Sequence, residues 1–183
     1  MAFEDRDDLF DESYFDLPHR RRGSFDASLL RAPVSALPLH GALTVSPSTV
    51  VTQAMRAMQN EHRGCVVVTD DGTKDSKLIG IFTERDVLFR IVDRGRNPAA
   101  LPIGEVMTPD PETLSVRSAV AYALNKMSVG GFRHIPVVDD EHRPEYVISV
   151  RDVVEFLVER FPREILNLPM GPHALYHRAR EGA

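Results

Sequence analysis

GIFTERD at residues 80–86, with its echo YVISVRD at residues 146–152, decides how this 183-residue chain folds. Each copy ends a short apolar run with a hydroxyl, Thr83 or Ser149, and sets an acid, Asp86 or Asp152, three residues further on. Repetition of this kind implies two half-modules, because one repeat alone would leave its hydrophobic face uncovered.

Upstream of each phrase the pattern is the same. Val50, Val51, Ala54, Met55 and Met58 form one apolar face at helical spacing, and Ala119, Val120, Ala123, Leu124 and Met127 repeat it 69 residues later. A β-rich run follows in each copy, CVVVT or IPVVD, then a polar turn, then the second run that carries the opening phrase. Matching Arg63 to Arg133 raises the offset to 70, which implies one extra residue in the SVGG loop; at Thr83 and Ser149 it falls to 66. A closing helix completes each unit, with Val87, Leu88, Ile91 and Val92 as the apolar face in one copy and Val153, Val154, Leu157 and Val158 in the other. The expected fold is α+β: two strand-helix-strand-strand-helix units about a pseudo-two-fold axis, sharing a core. The repeats are assigned to residues 33–102 and 103–161, between an acidic, aromatic arm at 1–32, expected to be mobile, and a Pro-containing tail at 162–183.

Thr83 with Asp86, and Ser149 with Asp152, stand where a strand becomes a helix. Taken singly, each pair reads as a capping box, the hydroxyl accepting a backbone N–H while the acid answers. The same geometry serves a ligand. A helix start offers unpaired N–H groups and the positive end of a dipole to phosphate, and an ionised carboxylate accepts from a pair of ribose hydroxyls. Arg133 and His134 precede the IPVV run, Arg63 holds the corresponding place before CVVV, and all three suit an anion, with solvated surface charge as the alternative for each arginine and an ordinary hydrogen-bonded histidine for His134.

GIFTERD, RHIPVVDD at residues 133–140 and VMTPDPETL at residues 106–114 together resemble the cystathionine β-synthase (CBS) domain, here as the tandem called a Bateman module, over about residues 33–161. The resemblance implies a non-enzymatic, stand-alone sensor that binds an adenosine-containing ligand of the AMP, ADP or ATP class between its repeats. By position, Asp86 and Asp152 would hold ribose and Thr83 and Ser149 would meet phosphate. Thr44, Val45, Thr113 and Leu114 would frame the base, and Ile135 and Pro136 would line the cleft. It also implies a homodimer and a separate effector protein. The copies are not equal. Tyr146 replaces Gly80, so a side chain is expected where backbone could approach a ligand, and unequal pockets follow. The competing reading is a structural or dimerisation module with empty clefts.

Composition narrows the alternatives. Residues 1–17 carry seven acids against Arg6, a balance of −6 within a total of −5, so the rest is nearly neutral and offers no basic stripe for duplex nucleic acid. No apolar run is long enough for a membrane span, and the acidic opening is unlike a signal peptide, which makes the cytoplasm the expected address. The single Cys65 lies in an apolar run and reads as a core thiol. No cofactor and no metal is expected: His173 and His177 lack a third ligand, and the acidic turn at 70–75 lacks the closing Glu of a calcium loop.

Overall fold

The computed structural model describes residues 28–162 and residue 165. The readings made for residues 1–27 and for the tail at 163–183, His173 and His177 included, lie outside that range, residue 165 apart. A short helix α1 (Ser28–Arg31) and a 3-10 turn (Val34–Ala36) lead into β1 (His40–Gly41) and β2 (Thr44–Val45). Then come α2 (Val51–Asn60), β3 (Cys65–Thr69), β4 (Leu78–Thr83) and α3 (Glu84–Asp86), which continues as a π-helical stretch over Val87–Val92. The second copy has a 3-10 turn (Ile103–Glu105), β5 (Thr108–Pro109), α4 (Val120–Val129), β6 (His134–Val138), β7 (Pro144–Ser149) and α5 (Val150–Arg160).

Two sheets result, ordered β2-β3-β4-β5 and β1-β7-β6. The lead-ins are exchanged: β5, ahead of the second repeat, pairs with β4 of the first, while β1, ahead of the first, pairs with β7 of the second. Side chains follow the same exchange. Leu101, Ile103 and Val106 pack with Val51, Met58, Val66 and Phe82 in the first lobe, and Val34 and Leu37 pack with Val120, Ile135, Ile148 and Phe156 in the second. Leu29 and Ala32, in the segment expected to be an arm, rest against that second core.

Strand β3 is buried along its whole length, which its unbroken CVVVT run requires. Val66 and Val68 face the first core. Cys65 and Val67 face a seam with Ile81 and Val138 that joins the two lobes.

The register corrects the sequence alignment at one point. Cys65 pairs with Thr83 and His134 with Ser149, so β3 and β6 are equivalent at an offset of 69, not 70. Backbone bonds from Glu84 N–H to the Gly64 carbonyl and from Val150 N–H to the Arg133 carbonyl agree. Arg133 is therefore the counterpart of Gly64, and Arg63 is not its match. The shared arginine misled because identity at one position says nothing of which residue stands opposite each strand-to-helix corner, and the pairing of both strands fixes that. A second expectation also fails. Of the apolar face expected on the closing helix of the first copy only Ile91 is buried, whereas Leu88 and Val92 are 59% and 65% exposed, as Val154 of the second copy is at 52%. Their apolar faces are wider than the core strip that each lobe offers.

Candidate functional site

Each strand-to-helix corner closes a capping box. Asp152 Oδ2 accepts from Ser149 N–H at 2.6 Å and from Ser149 Oγ at 2.9 Å, and Asp86 Oδ2 accepts from Thr83 N–H and Oγ1, both at 2.9 Å. The acids are 3% and 8% exposed, so the caps hold buried carboxylates in place.

Two cavities flank the pseudo-two-fold axis, each built from one repeat's corner, the other repeat's strand start and an exchanged lead-in. The larger, about 1150 Å³, joins His40 and Gly41 to Ser149 and Asp152 and to Gly64 and Cys65, with Arg63 at its wall. The smaller, about 400 Å³, joins Thr108 and Asp110 to Thr83 and Asp86, with Phe132 beside them. Gly64, Glu84, Arg133 and His134 line both.

What separates the cavities is the second carboxylate oxygen. Asp86 Oδ1 is held by Arg90 Nε at 3.1 Å, and the same guanidinium donates to the Val106 and Met107 carbonyls and, at 3.0 Å, to Thr108 Oγ1. That arginine is fastened at several points, so the oxygen is committed. Asp152 Oδ1 instead faces His40 Nε2 at 3.4 Å, and the His40 side chain is 46% exposed. A long contact to a half-exposed ring yields to a competing hydroxyl far more readily.

At the axis the His134 imidazole lies against the backbone of Gly64, where a Cβ would come within 2.8 Å of Cε1 and Nε2. Burial pushes the His134 pKa below its ordinary value; Glu84 and Asp152 oppose this, and Arg133 adds to it. The ring is therefore neutral at pH 7, with one nitrogen a donor and the other an acceptor. Burial also pushes the Cys65 thiol up to about 12, which leaves it protonated and unreactive.

Of the residues singled out in the sequence, Arg63, Ser149 and Asp152 reach the larger cavity, Thr83 and Asp86 the smaller, and Arg133 and His134 both. Thr44 and Val45 form β2 and line neither; Val45 packs against the first core. Thr113 lines neither cavity, Leu114 and Ile135 are in the second core, and Pro136 is buried in β6 opposite Val147. Tyr146 packs on that core, and the space beside Gly80 is filled by Met107. His40, His62, Glu84 and Thr108 were missed. The equivalence of His40 and Thr108 shows only in the strand pairing, since PLHGAL at residues 38–43 shares no aligned residue with VMTPDP at 106–111.

Among the described residues no helix is long and apolar enough to cross a membrane, and no group of three His, Cys, Asp or Glu is placed to hold a metal ion. The family model for the CBS domain matches residues 34–93 and again 103–159. A CBS domain-containing protein of Arabidopsis thaliana is 31% identical over 130 residues, covering 71% of this chain but only 23% of that protein, so the chain spans under a quarter of that relative's length. A crystal structure of a conserved protein of Pyrococcus horikoshii superposes with a TM-score of 0.62 at 28% identity, covering 69% of this chain and 92% of the other. A CBS domain protein of Pyrobaculum aerophilum, complexed with AMP, gives 0.60 at 23% identity over 70% and 97% of the two chains, a likeness of fold.

Proposed function

The chain belongs to the CBS-domain family, with two copies of the domain in tandem, and on that premise we propose that it is a regulatory module binding an adenosine-containing nucleotide between its repeats. The observation that carries this reading is the larger cavity, whose lining brings together the Asp152 carboxylate, the Ser149 corner, Arg63 and Arg133. Asp152 Oδ1 would exchange the His40 ring for a ribose hydroxyl. The arginines would take the phosphate, each charge-assisted contact contributing about 1.5–3 kcal/mol. The Pyrobaculum relative's AMP is in keeping with that assignment.

A ligand there would touch both lobes, since His40 is fixed to the second through β1 and Gly64 belongs to the first. It would shift their relative placement to the extent that it binds one arrangement more tightly than another. The proposal includes a homodimer, supported by the uncovered Leu88, Phe89 and Val92 beside α3 and Val150 and Val154 on α5, and an effector protein that reads the ligand state. One observation favours the alternative of a ligand-free structural module: both hydroxyl–acid pairs are already satisfied as caps.

Thermal unfolding with AMP, ADP, ATP, S-adenosylmethionine, NAD and a phosphate control separates the two. A ligand at about 100 times its dissociation constant adds about 2.7 kcal/mol, raising the midpoint by about 5–10 °C. AMP is expected to exceed ATP, because the larger cavity sets Arg63, Arg133 and Arg151 against Glu61, Glu84, Asp152 and Glu155 and so gives little return on added phosphates. No shift with any adenosine compound would leave the structural module standing.

A further inference from the structure

The two cavities are not independent. Their common wall holds Arg133 and His134, and both cavities also reach Gly64 and Glu84. Arg133 is exposed, and it enters no salt bridge among those found in the described residues, so its guanidinium is available to either side. One guanidinium grips one phosphate in its bidentate geometry. His134 is restricted in the same way: its ring is pinned over Gly64, and a methyl group there would already collide with it.

From this shared wall, and resting on the nucleotide reading above, we infer that the cavities compete for Arg133 and His134, so that a phosphate-bearing ligand in one suppresses its counterpart in the other. The larger cavity wins. Among the described residues its Asp152 has an oxygen opposed only by the His40 ring, whereas Asp86 of the smaller cavity is tied to Arg90; Arg63 and Arg151 line the larger cavity alone, as Arg85 and Arg90 line the smaller. Two phosphates drawn toward one wall also repel each other across a partly desolvated gap. Each chain therefore holds one anionic nucleotide, and the smaller cavity is left to a ligand without a phosphate or to none. Two repeats thus make a single-occupancy device.

Calorimetric titration of the full chain with AMP tests the inference, beside adenosine and the variant Arg133→Gln. For the wild type, one AMP per chain is expected, any second binding at least tenfold weaker, and the gap between first and second sites wider for AMP than for adenosine. In Arg133→Gln the first AMP weakens about tenfold and the gap narrows at least threefold, because the contested group has gone. Two AMP sites with an adenosine-like gap, or a gap unchanged in Arg133→Gln, would overturn the competition while leaving the nucleotide reading intact. Absence of binding by both AMP and adenosine would overturn the nucleotide reading, and the competition with it.

Discussion

Replacing Asp152 by alanine removes an acceptor that serves two donors at once, and the loss follows from the geometry. Its Oδ2 accepts from Ser149 N–H at 2.6 Å and from Ser149 Oγ at 2.9 Å, in a residue only 3% exposed, while Asp152 N–H returns a longer bond of 3.4 Å to Ser149 Oγ. Loss of a helix cap costs about 0.5–2 kcal/mol, and an unpaired part-buried donor costs about 1–3. Water entering from the adjoining cavity recovers part of this, so the expected loss is about 2–3 kcal/mol. At this chain length that lowers the melting midpoint by about 5–10 °C. Asp152→Asn keeps an oxygen acceptor for the Ser149 N–H and is expected to lose about half as much. Asp86→Ala should lose more, because it also frees Arg90 from the point where it braces Val106, Met107 and Thr108. Urea unfolding, with the slope unchanged between variants, measures each difference. A loss below about 0.5 kcal/mol for Asp152→Ala would refute the account of the carboxylate as a structural cap. It follows that ligand shifts in these variants must be read against each variant's own unliganded midpoint.

Two further outcomes concern the axis. The folded-state pKa of His134 lies below its ordinary 6.5, so the unfolded chain takes up the proton first; stability should fall as pH drops below about 6.5 and level off once the folded imidazole is protonated, and His134→Gln should flatten that slope in unfolding measured from pH 8 to 5. In Gly64→Ala the added methyl meets the imidazole at 2.8 Å and drives it outward, so the His134 pKa should climb back toward 6.5 by proton NMR; an unchanged value would mean that the ring does not depend on the glycine.

The duplicated architecture was legible because it rests on periodicity. The apolar spacing of α2 and α4 and the unbroken run of β3 each dictate one burial pattern. Thr83, Asp86, Ser149 and Asp152 could be placed because a strand-to-helix corner leaves a local signature. What failed was long-range. Nothing local to His40 announces that it pairs opposite Val147, more than a hundred residues on, and so reaches Asp152. The arginine match was a false register for the same reason: identity at one position weighs little against a ladder of paired strands. Thr44, Val45, Thr113 and Leu114 were placed from their position in the repeat; the cavity walls run through His40, Gly41 and Leu43 and through Thr108, Asp110 and Glu112, up to the residue before each pair.

The exchanged lead-ins also govern the order in which the molecule can be completed. Residues 34–41 leave the ribosome long before the strand and helix they are to cover, and the first lobe waits for residues 101–109 before its sheet has its last strand. Neither lobe can finish alone, and closing loops of this length is entropically slow. The two halves therefore lock each other late in folding, and a cut at the apparent repeat boundary would give two fragments that each lack a wall of their own core.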